Sequence, residues 1–157
     1  MLGCPHAYIA GGALMAALKN SGMTLDTSAG GSIGSEEIRE VFKRTRKQAH
    51  GGYCGLTGVC GIAPALGACV SILTGSKCGT DKEQRLTMEA VSKVTGAITD
   101  LTGPSCCKAY ARASLAVMVD FLKENLNIKL PRAADIICRF IDKHPHGCRR
   151  GACPYYN

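Results

Sequence analysis

The sequence predicts an all-α protein: a single compact domain over residues 1–157, with about five or six helices and Gly/Cys-rich loops. Three observations carry that reading. Apolar residues recur every three to four positions in several stretches, and no convincing run alternates apolar with polar residues as a strand would. Aromatics make up 5% with no Trp, against 19 Ala and 19 Gly, so core volume comes from close backbone approach rather than bulky rings. With 157 residues, 46% hydrophobic and 20% charged, the chain suits one ordinary core and is too apolar for a disordered tail.

The elements follow in order. Residues 8–19 place Ile9, Ala13, Ala16, Ala17 and Leu18 on a helix, and Gly22 stops it. A loop over 24–34 leads to Ser35, which caps a second helix with Glu36 and Glu37 in its first turn; residues 50–52 (HGG) end it. A Gly- and Cys-rich turn fills 53–61, and the apolar stretch to 73 reads as a buried helix. Thr80 and Glu83 form a T-x-x-E capping box ahead of the stripe Leu86, Ala90, Val94, Ala97 and Leu101. Gly103 closes that helix, and Pro104 suits the first position of the next, whose stripe is Ala111, Leu115, Met118, Leu122 and Leu126. Cys106 and Cys107 thus fall in a helix's first turn. A last helix over 132–142 puts Ile136, Ile137, Phe140 and Ile141 inside, and the tail from 144 is turn-like.

Ten cysteines are the outlier in composition. The N-terminal stretch has no basic residue ahead of its apolar part, and the longest apolar segment, 61–73, falls short of the roughly 20 residues of a membrane span. The expectation is therefore a soluble, cytoplasmic protein. In a reducing compartment, thiols in a domain large enough to fold without staples favour metal ligation over a disulfide framework or inert burial.

The best-defined motif is CGLTGVCG, with Cys54 and Cys60 as ligands and Gly55, Gly58 and Gly61 letting the backbone wrap a bulky inorganic centre. The second is PSCCK. A helix N-terminus favours the thiolate form of Cys106 or Cys107, and Lys108 adds to the effect. Neighbours in a helix point about 100° apart, so the two cysteines either serve different centres or divide between ligand and core. The third motif is the tail CRRGACP, with Cys148 and Cys153-Pro154, and Cys138 precedes it. Cys4 completes the set. Cys69, within the apolar segment, reads as core, and Cys78 as a loose loop thiol; His144 and His146 read as a surface turn rather than ligands. The eight cysteines 4, 54, 60, 106, 107, 138, 148 and 153 then fit one or two [4Fe–4S] clusters. Zinc is the alternative, less favoured because no C-x-x-C occurs.

The formal charge of +7 invites a nucleic-acid reading. Eight thiolates on two clusters lower it to about +3, and the basic stretch over 39–47 also reads as a solvated helix face with a Glu40–Arg44 pair. Nucleic acid is therefore not favoured as a partner. No P-loop, Rossmann fingerprint, serine-hydrolase elbow or H-E-x-x-H occurs.

These motifs together resemble an uncharacterised cysteine-rich domain family of anaerobic bacteria and archaea, found alone or attached to predicted methyltransferases. The resemblance spans most of the length and rests on CGLTGVCG, the apolar segment ending VSILTG, PSCCK, Cys138, and Cys148 with Cys153-Pro154. The family pattern has Arg on both sides of Cys-Cys-Lys, where this chain has Ser105 and Ala109. The resemblance implies anaerobic metabolism, a cluster, and a redox or methyltransferase-type protein partner.

Three functions compete. The first is an iron–sulfur protein in electron transfer or in sulfur and small-molecule chemistry. Its catalytic version holds three corners with Cys54, Cys60 and one of Cys106 or Cys107, with Lys108 as the catalytic residue that stabilises an anion. The second is a zinc-stabilised module docking RNA or an acidic protein through residues 39–47. The third is a thiol redox protein using Cys106 and Cys107.

Overall fold

The computed structural model describes residues 4–25, 30–101, 103 and 105–157. The fold is all-α as predicted, with six α-helices among the described residues: α1 (Pro5–Asn20), α2 (Ser35–Gln48), α3 (Tyr53–Thr57, a single helical turn within the stretch expected to be a loop), α4 (Ile62–Thr74), α5 (Lys82–Asp100) and α6 (Cys107–Leu126). Among the described residues the strand-like pairing is one isolated antiparallel bridge between Thr24 and Ser32.

α4 is the hub. It carries no charged residue and is apolar on every side, which suits a helix surrounded by others. It touches α1, α2, α5 and α6. Leu66, Cys69 and Val70 are fully buried, alongside Leu14 and Met15 of α1, Val41 of α2, Val94 of α5, and Met118 and Phe121 of α6. The expected dependence on small residues is visible at two crossings. A methyl group on Gly11 would sit 3.0 Å from Val41 Cγ1, and one on Gly67 would sit 2.5 Å from Val91 Cγ2. Cys69 is core, its thiol donating to Ala65 O (3.3 Å), and Cys78 is exposed.

Several local expectations are corrected. α1 buries Ala7, Ala10, Leu14, Met15 and Leu18, so of the predicted stripe only Leu18 faces the core, and Ile9 is 60% exposed. α2 is capped one residue earlier than expected. Gly34 is its N-cap, and the Gly34 N–H donates to Glu37 Oε2 at 2.7 Å. The Thr80–Glu83 capping box does not form: Asp81 is the N-cap of α5, and the Thr80 hydroxyl donates back to Lys77 O at 2.8 Å. α6 begins at Cys107 with Cys106 as N-cap. Pro104, expected to open it, and residues 26–29 of the expected loop lie outside the described residues.

The largest departure is the predicted last helix. Residues 132–140 are irregular and are followed by single 3₁₀ turns at Ile141–Lys143 and Arg150–Ala152. Ile137 and Phe140 are 54% and 43% exposed rather than inside. The physical reason is a competing hydrogen bond. The Cys138 N–H donates to Tyr155 O at 2.8 Å, where a helix would need it on residue 134. The segment thus pairs with the tail, and Ile136 and Ile137 line a groove of about 520 Å³ against Leu115, Val119 and Tyr155.

Candidate functional site

Four chain segments bring Cys4, Cys54, Cys60 and Cys107 together. Cys4 is the N-cap of α1, and Pro5 supplies the first helical residue with no N–H to satisfy. Cys54 lies in α3, a single turn ended by Gly58 at φ 77°, a left-handed conformation that glycine adopts without steric cost. The chain then doubles back so that Cys60 directly precedes Gly61, the N-cap of α4, and Cys60 O accepts the Ala63 N–H at 3.0 Å. Cys107 is the first residue of α6.

Gly61 brings the Cys4 and Cys60 segments together. A Cβ at this position would stand 2.7 Å from Ala49 Cβ and 3.3 Å from Cys4 Cβ. Ala49, the C-cap of α2, accepts the Cys4 N–H at 3.3 Å. Gly58 and Gly61 therefore serve turn and close approach respectively, while a Cβ on Gly55 would meet nothing within 4 Å.

Cys60 and Cys107 both lie within electrostatic reach of Cys4 and Cys54. Burial pushes Cys60 up to about 11, and repulsion from Cys4, Cys54 and Cys107 adds to it, against a backbone hydrogen bond from Ile62. Cys107 is raised by burial, then by Cys4, Cys54 and Cys106. α1, α4 and α6 all direct their N-termini to this neighbourhood, and helix N-termini carry partial positive charge that favours anions.

The other four sulfurs form a second set. Cys106, Cys138, Cys148 and Cys153 line one cavity with Lys108, Phe140, His144 and Arg149. Here the elements are the N-cap of α6 and the irregular tail, which is fastened at several points. Lys108 Nζ lies 4.6 Å from the centre of the Phe140 ring, and the Arg112 guanidinium lies 5.3 Å from that of Tyr155. Arg150 adopts φ 48°, and its N–H donates to Cys148 Sγ at 3.3 Å. Arg149 Nη1 is buried with no hydrogen-bond partner.

Adjacent residues thus divide between the two sets: Cys107 goes with Cys4, Cys54 and Cys60, and Cys106 with Cys138, Cys148 and Cys153. Lys108 stands at the second set. His144 lines that cavity, whereas His146 is exposed and donates its N–H to His144 Nδ1 at 3.2 Å. On α2, Glu40 engages both Lys43 (3.3 Å) and Arg44 (2.9 Å), so part of that basic face is neutralised. All ten cysteines are free thiols. Among the described residues no three His, Cys, Asp or Glu stand close enough to hold a single metal ion. No motif singled out Ala49 or Arg149. The one signal for Arg149 was its place between Cys148 and Cys153.

Fold and site together define a small helical protein in which eight of the ten cysteines fall into two neighbourhoods on either side of the α6 N-terminus. The chain belongs to a family of unknown function, DUF5714, which matches residues 1–156. No curated protein and no solved structure matches it. Among the described residues no helix is long and apolar enough to cross a membrane.

Proposed function

We propose that the protein is an electron-transfer protein of anaerobic cytoplasmic metabolism with two [4Fe–4S] centres, its partner a redox or methyltransferase-type protein. Cys4, Cys54, Cys60 and Cys107 would hold one centre; Cys106, Cys138, Cys148 and Cys153 would hold the other. The observation that carries the reading is the sorting of eight cysteines into two fours, with Cys69 in the core and Cys78 in a loop left over. Each centre supplies a site that accepts or releases one electron.

The residues present fit such a group on three counts. Burial, with repulsion from neighbouring thiols, disfavours the ionised forms of Cys60 and Cys107, so a cationic core is what would hold them as thiolates. In the second set, the unpartnered Arg149 Nη1 would donate to an anion, and a cluster with four thiolates carries about −2. A tetrahedral zinc site with 2.3 Å bonds draws its sulfurs to about 3.8 Å from one another. Four thiolates on four different irons stand wider apart, and the looser assemblies suit that arrangement better.

Complete cysteine ligation favours electron transfer over substrate chemistry at an open iron. The three-thiol version of the first site gains Cys4 as a fourth member, and Lys108 faces the other set. The chain's own contribution is to fix the two sets relative to each other, to exclude water with the α1–α4–α6 core, and to supply N–H donors such as Arg150 N to sulfur.

The test is metal analysis with an absorption spectrum on oxygen-free protein. About eight irons per chain and a broad charge-transfer band are expected. Cys4→Ser and Cys153→Ser should each lose about half the iron, and Cys78→Ser none. A colourless protein with stoichiometric zinc, or equal iron loss from Cys78→Ser, overturns the proposal.

A further inference from the structure

The two assemblies differ in the charge around them. The first is framed by helix N-termini and apolar core. The second has two cations on its cavity wall. Arg149 Nη1 is shielded from water and donates to nothing, and Lys108 rests on the Phe140 ring instead of on a carboxylate. Among the described residues no Asp or Glu lines that cavity. A buried guanidinium nitrogen whose N–H groups meet no acceptor is unfavourable, and negative charge in the cavity would satisfy it.

We infer that Arg149, with Lys108 beside it, sets the reduction potential of the second centre above that of the first. The inference rests on the two-centre reading. One-electron reduction adds one negative charge, and a nearby cation stabilises the more negative state most. Arg149 is thus a positioning residue for charge, acting through space on the group held by Cys106, Cys138, Cys148 and Cys153. The direction of transfer follows. An electron delivered to the first centre by a low-potential one-electron carrier passes to the second, and the Cys106–Cys107 peptide is the shortest covalent link between them. The first centre is oxidised by one electron and the second reduced by one, with no bond made or broken and no proton moved.

The experiment uses the full chain in two states. On the iron-loaded protein, a redox titration followed by electron paramagnetic resonance should give two midpoints. Arg149→Met should shift the higher one downward and leave the lower in place, and Arg149→Lys should restore most of the shift. On the metal-free protein, Arg149→Met should raise Tm, because a buried nitrogen without an acceptor is gone. Two midpoints that both stay put, or that move together, overturn the inference while leaving the two-centre reading intact. A drop in metal-free Tm also overturns it, since Arg149 would then be a structural residue. A wild-type chain that takes up no iron removes the two-centre reading, and the inference with it.

Discussion

One methyl group tests the packing that gathers the first four thiols. In Gly61→Ala the new Cβ would lie 2.7 Å from Ala49 Cβ and 3.0 Å from Ala49 Cα. Neither atom can swing aside, because Ala49 has no rotamer and its N–H is fixed on Thr45 O at 2.8 Å. Gly61 has φ −59°, so alanine fits the backbone there and by itself adds about 0.4–1 kcal/mol through a stiffer unfolded chain. Overpacking costs about 1–3 kcal/mol. The net loss is about 1–2 kcal/mol, which at about 2–4 °C per kcal/mol lowers Tm by about 2–8 °C. The push on Ala49 reaches Cys4 through the Cys4 N–H to Ala49 O bond (3.3 Å), so iron content should fall as well. Gly67→Ala is the control. Its Cβ would meet Val91 Cγ2 at 2.5 Å, a side-chain tip at the α4–α5 contact, which carries none of the eight thiols. Thermal unfolding of the metal-free chain and iron analysis of the loaded one provide the readouts. The reasoning fails if Gly61→Ala changes neither quantity, or if Gly67→Ala loses as much iron.

Two further outcomes are expected. Cys60 and Cys69 are pushed up to about 11 and about 12, chiefly by burial, from an ordinary value of 9.0. A thiol raised on folding adds stability below its unfolded pKa and loses that contribution as pH climbs toward the folded one. The metal-free chain should therefore unfold at lower urea at about pH 10.5 than at about pH 8; equal midpoints would contradict this. Phe140→Ala removes the ring under Lys108, worth about 0.5–1 kcal/mol at an exposed site, and should speed amide hydrogen exchange in the segment after residue 137 while sparing α1 to α5. Unchanged exchange there would show that the cation–π contact does not fasten the tail.

Helices with unmistakable composition were legible from sequence. The uncharged run of α4 specifies its own burial and explains why Cys69 is core, and the predicted α5 stripe holds at Ala90 and Val94, with Ile98 rather than Ala97 as the next core residue. Where the outcome hung on long-range hydrogen bonds, local pattern misled. Ile136, Ile137, Phe140 and Ile141 have helical spacing, yet the Cys138 N–H goes to Tyr155, and the tail decides the conformation. At Thr80 the hydroxyl donates to Lys77 O (2.8 Å) and its oxygen accepts the Lys77 N–H (3.2 Å) instead of a helix N–H, so the turn won over the cap. The eight cysteines outside core and loop could be named from motifs. Their division into fours could not, because it depends on α6 starting at Cys107, which gives Cys106 an extended backbone and Cys107 a helical one.

That division has a bearing on synthesis. Every member of the first set has been synthesised once Cys107 is added, whereas the second waits for Cys153, roughly 45 residues and a few seconds of translation later. Cys106 spends that interval beside a complete set without its own companions. Biogenesis is therefore ordered in time, N-terminal half first, and a nascent chain halted after α6 would already own one finished nest of sulfurs and half a promise of another.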